Sequence, residues 1–285
     1  MNKKKEDIEG VILILTCHKH LNTRLKEFSL PNDSYENWKV VYVIGDLRMK
    51  NNFELRGNML HIKCEDSYIH LLKKLTLAIK YVNELFTIKQ GILRCGDDLV
   101  FNTDNLNKFL NGNKYDFFGQ SYYYRDYHCS NINELKKLRV DTSMYNYYKG
   151  HPEDFSNPLH NLGHMSLEKI KRISHRPDVW GPAGIIYYIS NKTCDILLDH
   201  MERIQYNIFH FDHFTNSYPY TIEDTAVTYI MYLNQITFKD SQNFFDTPNA
   251  IVKHTNKYKD NETIQTTSQS TISTYNKMRF KMFKL

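Results

Sequence analysis

GILRCGDDLVFN, residues 91–102, is the stretch that sets the architecture. An apolar run stops abruptly at Gly96 and gives way to two adjacent acids, Asp97 and Asp98. Continuous apolar runs of this length are expected of strands buried on both faces of a parallel sheet. Ligands of such sheets bind just outside the carboxyl ends of the strands. Working outward, VILILT (residues 11–16) and KVVYVIG (residues 39–45) are runs of the same kind, and the second ends at Gly45-Asp46. Residues 61–65, HIKCE, form a weaker third, and polar stretches such as PNDS (31–34) separate these runs. Asp66 or Ser67 is expected to cap a helix over about 68–86, where Leu71, Leu72, Leu75, Ile79 and Val82 recur at helical spacing. Asn102-Thr103-Asp104 caps a short helix through Phe109, and residues 115–120 read as another strand. This strand–helix–strand alternation predicts an α/β fold with a mostly parallel sheet and crossover helices. It puts Thr16, Asp46, Asp97 and Asp98 at one mouth.

The second half is less regular. Residues 121–178 are aromatic and His-rich, as in SYYYRDYHC (121–129) and YNYYKGHPED (145–154). The segment is too long for a simple connection and reads as a functional excursion or an acceptor lobe. A Gly/Pro-interrupted apolar run follows at 179–190, and Asn191 is expected to cap a helix holding Ile196, Leu197, Leu198 and Met201. Glu223-Asp224 opens an apolar helix that runs to Leu233. Beyond about Tyr258 the chain turns polar and ends in the basic-hydrophobic KMRFKMFKL (277–285), expected to dock as a short helix on the protein. No repeats occur. One domain over 1–258 and a tail over 259–285 are expected.

Composition narrows the function classes. The 285 residues carry 37 Lys+Arg against 32 Asp+Glu, a mild excess that suits a polyanionic small molecule but predicts no nucleic-acid binding. The 21 Tyr and 16 Phe suit sugar-stacking surfaces; abundant Lys, Asn, Ile and Tyr also reflect AT-rich coding. Five cysteines, Cys17, Cys64, Cys95, Cys129 and Cys194, include no CxxC pair and fit free thiols in a reducing compartment. No apolar stretch reaches the length of a signal core or a membrane span, so a cytoplasmic protein with no transmembrane segment is expected.

Four constellations could carry chemistry. Adjacent acids at a strand end repel each other and stay ionised together when water or a cation compensates them. Asp97-Asp98 therefore suits a divalent ion shared with substrate phosphates, although solvated acids in a turn give the same pattern. Glu223-Asp224 is either a favourable charge at a helix start or a general base. Gly181-Pro182-Ala183-Gly184 permits close backbone approach to a ligand. His254, after Ile251-Val252, is either a structural histidine or a metal ligand near the acid pair.

The order of these signals resembles the β-1,3-galactosyltransferase and Fringe-like family. Asp66-Ser67-Tyr68 with Leu71 and Lys74 is similar to that family's D-S-Y-x-N-L-x-x-K. Residues 93–102 resemble its L-K-x-D-D-D-x-F-V-N metal motif, GIIYYIS (184–190) its G-G-G-Y-V-L-S, and Glu223-Asp224-Thr225-Ala226-Val227 its E-D-V-x-x-G. Arg24 falls where the family often has an arginine after its first strand. Gly96 replaces the first acid of the triplet, Ile185 and Ile186 replace glycines, and His70 replaces an Asn. The resemblance implies a GT-A-type fold, Rossmann-like in its N-terminal half, with a nucleotide-binding half over about 10–120 and an acceptor half over about 121–258. It implies an inverting transferase that uses a UDP-sugar donor with Mn²⁺ or Mg²⁺ and a glycan, glycolipid or glycoprotein acceptor. Asp98 is then the metal ligand, with Asp97 and His254 assisting, and Asp224 the base. Thr16, Arg24, Asp46, Asp66, Lys74, Asp97 and Gly184 would surround the nucleotide-sugar. The missing leader and anchor point to a bacterial or viral enzyme, in the host cytoplasm if viral. A retaining transferase, and a non-catalytic glycan-binding protein on a degraded fold, share these features. A nucleotidyltransferase would want a Gly-rich phosphate loop after Thr16, which is absent.

Overall fold

The computed structural model describes residues 5–28, 30, 34–35, 37–122 and 131–254. The chain divides into two compact units, Met1–Thr255 and Asn256–Leu285, and the described residues all belong to the first. Cys129, the polar tail and its basic-hydrophobic end lie outside them.

The strands are β1 (Glu6–Leu15), β2 (Ser34–Tyr35), β3 (Trp38–Gly45), β4 (Phe53–Arg56), β5 (Met59–Ile62), β6 (Phe86–Cys95), β7 (Leu99–Phe101), β8 (Phe117–Gly119), β9 (Leu138–Val140), β10 (His175–Pro177), β11 (Ile186–Ser190), β12 (Phe238–Asp240) and β13 (Val252–His254). The helices are α1 (Arg24–Glu27), α2 (Leu71–Leu85), α3 (Thr103–Asn111), α4 (Ser143–Gly150), α5 (Leu167–Arg172), α6 (Asn191–Arg203) and α7 (Glu223–Leu233). Nine strands form the main sheet in the order β12-β8-β11-β6-β1-β3-β5-β4, with β2 alongside β3. Its centre, β6-β1-β3-β5, is parallel, as is β8-β12. Strand β11 runs antiparallel between β6 and β8, and β4 closes the far edge as a hairpin with β5.

Side-chain alternation along the strands produces two cores. Val11, Leu13 and Leu15 of β1 and Val41 and Val43 of β3 face Leu72, Leu75 and Ile79 of α2, Leu197 of α6 and Ile230 of α7. Ile12, Ile14, Trp38, Val40, Leu93 and Cys95 face the other way, onto Leu106 and Leu110 of α3 and onto Phe244 and Ile251. The result is a sheet flanked by helices, as predicted. Because both faces of the central strands are buried, the apolar runs are continuous rather than alternating.

Local details differ from the sequence reading. The β4–β5 hairpin was not foreseen, although Gly57-Asn58 between the strands is a two-residue hairpin signal and Gly57 has φ of +61°. Neither Asp66 nor Ser67 caps α2. A turn of 3₁₀ helix, Tyr68–His70, precedes it; Ser67 Oγ lies 2.6 Å from His70 Nδ1, and the Asp66 carboxylate is engaged elsewhere. Ser190, not Asn191, caps α6 by accepting from the Thr193 amide at 3.4 Å, while the Asn191 amide reaches back to the Ile88 carbonyl. Asn102 caps α3 as expected, accepting from Asn105 N at 3.1 Å.

Candidate functional site

Parallel strands that start on one edge end on the other, so the residues after β1, β3, β5 and β6 share the carboxyl edge. Thr16 ties two of these ends together. Its hydroxyl donates to Asp97 Oδ2 at 2.7 Å, and its carbonyl accepts from Lys74 Nζ at 2.8 Å. Lys74 also donates to Asp66 Oδ1 at 2.6 Å, with both side chains almost fully buried. Burial opposes the charge on Lys74, yet Asp66 holds its pKa above the ordinary lysine value. Asp66 accepts in addition from the Gly45 amide at 3.0 Å and the His18 amide at 2.7 Å. Asp46 caps the end of β3 and is gripped by Arg48 through Nε at 2.9 Å and Nη2 at 3.0 Å, which lowers its pKa to about 2.

The adjacent acids diverge. Asp97 is buried; His20 Nδ1 lies 2.7 Å from its Oδ2, and Arg24 Nη1 donates to its Oδ1 at 3.1 Å. Burial disfavours charge on His20, but hydrogen bonds to Asp97 and Cys17 lift its pKa to about 9. Asp98 points instead to His254, whose Nε2 is 3.1 Å from Asp98 Oδ2, and Arg24 Nη1 lies 3.7 Å from the same oxygen. The antiparallel β7–β13 pairing makes this contact by setting His254 opposite Leu99.

A cavity of about 370 Å³ lies beside this edge, with walls from residues 179–184, the first turn of α7, the β9–α4 connection and Tyr68. Asp224 lines it. The Gly184 amide donates to Asp224 Oδ2 at 2.8 Å and the Thr225 amide to Oδ1 at 2.7 Å. A Cβ on Gly184 would sit 3.1 Å from that carboxylate oxygen, so glycine allows the close approach. Gly181 is tighter, for its Cβ would fall 2.1 Å from Thr228 Oγ1. Under the cavity, Arg94 donates to Glu223 Oε2 at 2.8 Å and to the Gly184 carbonyl, and the Tyr187 hydroxyl donates to the other Glu223 oxygen.

One dipeptide links the acids. Ile185 O accepts from the Gly96 amide at 2.9 Å, and a Cβ on Gly96 would lie 3.0 Å from Asp98 Oδ1. Its neighbour Gly184 holds Asp224. Gly184-Ile185 thus binds Asp224 at its first residue and the Gly96 turn, two residues before Asp98, at its second.

A family model described as Galactosyltransferase matches residues 38–231, more than half of the 285-residue chain. The chain belongs to the galactosyltransferase family. No match was found among curated proteins. Membership makes it a glycosyltransferase that works with a sugar donor and a glycan acceptor, on a fold consistent with GT-A. No helix among the described residues is long and apolar enough to cross a membrane.

Within this family frame, Thr16, Arg24, Asp46, Asp66, Lys74, Asp97 and Asp98 do converge on one edge, as the strand-end rule required. Asp66 and Lys74 lie beneath the mouth, not in its wall, and Asp97 is engaged by Thr16, His20 and Arg24. Gly184 and Asp224 line the cavity, and Asp98 is not among its lining residues. Sequence reasoning missed His18, His20, the Arg94–Glu223 pair and the arginines Arg139 and Arg176. Arg94 carried a signal: a charge inside a run buried on both faces must find an ionised partner. Among the described residues, no group of three or more His, Cys, Asp or Glu side chains is placed to hold a metal ion. Asp98 and His254 supply two suitable donors, half-open to solvent. That fits a hard divalent ion whose remaining ligands are phosphate oxygens and water.

Proposed function

We propose that the chain is a metal-dependent, inverting glycosyltransferase that moves a hexose or N-acetylhexosamine from a UDP-sugar to an acceptor hydroxyl, forming a β-linkage. The observation that supports this reading is that Gly184 binds Asp224 while Ile185 binds Gly96, two residues before Asp98. On this reading the diphosphate end and the acceptor end lie on either side of that dipeptide.

Asp98 and His254 would hold Mn²⁺ or Mg²⁺, and the bound ion supplies Lewis-acid neutralisation of the departing diphosphate. Asp97 keeps its place by holding His20 and Arg24, and Arg24 is thereby left between the two acids to face phosphate oxygens. Asp66 and Lys74 support the loop after β1 from below through Thr16 and His18. Asp224 takes the proton of the acceptor hydroxyl as that oxygen attacks the anomeric carbon from the face opposite UDP. The Gly184 and Thr225 amides each bind one of its oxygens, which fixes the position of the carboxylate. Trp180 and Tyr68 offer apolar surface in the same cavity for a sugar ring.

The test is a screen of UDP-sugars against saccharide acceptors with and without Mn²⁺, reading UDP release and the anomeric configuration of the product. A β-linked product from an α-linked donor is expected; an α-linked product would exclude Asp224 as base. Asp98→Ala should weaken UDP binding in Mn²⁺ by about tenfold or more, as loss of a metal ligand does. Unchanged affinity would remove Asp98 from the metal site.

A further inference from the structure

Arg94 is a charge in the buried half of β6, two residues before the Gly96 turn. Its guanidinium joins separate pieces of chain. Nη2 donates to Glu223 Oε2 at 2.8 Å, while Nη1 donates to the Gly184 carbonyl and lies 3.4 Å from the Ile185 carbonyl. Across the β6–β11 pairing Tyr187 stands opposite Arg94. The Tyr187 ring lies 5.6 Å from the guanidinium carbon, and its hydroxyl donates to Glu223 Oε1. Both Glu223 oxygens are therefore occupied. Glu223 opens α7 and immediately precedes Asp224. The side chains of Arg94 and Glu223 are both almost fully buried.

These bonds close a ring around Asp224. The Gly184 amide donates to Asp224 Oδ2, and the carbonyl of the same residue is held by one arm of Arg94. The other arm holds the residue before Asp224. The Ile185 carbonyl also accepts from the Gly96 amide at 2.9 Å, which ties the same dipeptide to the turn that carries Asp97 and Asp98. The Nε of Arg94 has no partner among the described residues, so the attachment runs through the two terminal nitrogens. A guanidinium presents these donors in one rigid plane. The segment 184–185 and the start of α7 therefore cannot slide past each other without breaking one of its bonds. Stability is a poor reason for such a pair, because replacing a buried ion pair by neutral groups of similar volume is often without cost. What a buried polar network supplies is a fixed geometry.

We propose that Arg94 and Glu223 form a positioning clamp that fixes the Asp224 carboxylate relative to the Gly96-Asp97-Asp98 turn. The clamp itself is a mechanical property of the fold; its effect on turnover rests on the transferase reading above, in which Asp224 is the base. Misplacing a reacting group by about 1 Å costs about 10²-fold in rate, so a base set by its neighbours in this way depends on them.

The test is the double variant Arg94→Met with Glu223→Gln, which removes both charges together and strands neither in the core. Its melting temperature should stay within about 5 °C of the parent. The kcat for transfer should fall by about 10–10²-fold, with acceptor KM and UDP affinity within about threefold. Amide hydrogen exchange followed by NMR reads the clamp without turnover. The Gly184 and Thr225 amides, which hold Asp224, should exchange about tenfold or more faster, while those of Leu13 and Ile14 in β1 keep their rates. Tyr187→Phe keeps the ring and removes one bond to Glu223. It should move kcat and the same two amides in the same direction by a smaller factor, and it decides the matter if the double variant does not fold. Unchanged exchange at Gly184 and Thr225, or parental kcat, would overturn the clamp. So would equal acceleration at β1, which would mark a pair that merely holds the fold together. Asp224→Asn turning over at the parental rate, or no turnover of any UDP-sugar by the parent, would sink the transferase reading, and the exchange rates would still decide the clamp.

Discussion

The carboxyl edge at Thr16 and the β9–β10 ribbon at Arg176 bury charge in opposite ways. At the edge, Asp66 is contacted by Lys74, His18 and Gly45, and Asp97 by Thr16, His20 and Arg24. At the ribbon, Arg176 is at least as buried as Lys74 and makes no hydrogen bond among the described residues. A satisfied network fixes a backbone and resists change, whereas an unsatisfied buried donor is tolerated where something else completes it. The first region is a satisfied frame at the strand ends, and the second keeps a buried guanidinium without a hydrogen bond among the described residues. Asp224 lies between them, held by two backbone amides and open to the cavity.

Four changes would break or sharpen that contrast. The largest effect is expected of Asp224→Asn, which keeps size and removes the proposed base. Transfer should fall by about 10²–10⁴-fold while UDP affinity stays within about twofold. Turnover retained at the parental rate would show that the proton goes elsewhere. Next comes Lys74→Met, which strands Asp66 in the frame. Urea unfolding should show a loss of about 3–5 kcal/mol, as expected when one partner of a buried ion pair is removed. A loss under about 1 kcal/mol would mean that the pair is not structural.

Gly181→Ala probes the cavity wall. The new methyl would fall 2.1 Å from Thr228 Oγ1, so a cost of about 1–3 kcal/mol is expected, with part of it recovered by Thr228→Ala. No change in melting temperature would show that this wall yields freely. The smallest effect concerns acid. His70 is buried and His200 half-buried, and both are held near pKa 4, below their ordinary value, because burial disfavours the imidazolium. Below about pH 6.5 the unfolded chain takes up protons that the folded chain refuses until about pH 4, so stability falls through that window. The expected loss between pH 6.5 and 5 is about 1.5 kcal/mol per histidine, and His200→Gln should remove one such share. Identical urea midpoints for the parent and His200→Gln at both pH values would contradict this.

Much of the frame could be read from residues 10–120. The runs at 11–16, 39–45 and 91–95 became β1, β3 and β6, and the acids after them met at one edge. The hairpin at Gly57 was legible and was passed over, because its strands are short and only half-buried. The residues around Arg176 were not legible. Its partner, Arg139, lies 37 residues earlier in a segment without a clear hydrophobic period, and nothing local says that its side chain would be enclosed.

What the sequence by itself determined was periodic and local. Apolar runs specified buried parallel strands, strand ends specified an edge, and the succession of acid and glycine motifs specified the family. Only the tertiary structure decided which acid faces which partner. Asp97 and Asp98 are neighbours, yet one is enclosed by the loop after β1 and the other meets a histidine 156 residues away. Successive side chains at a strand end leave in different directions, and what each one meets is supplied by chain that no local pattern can place.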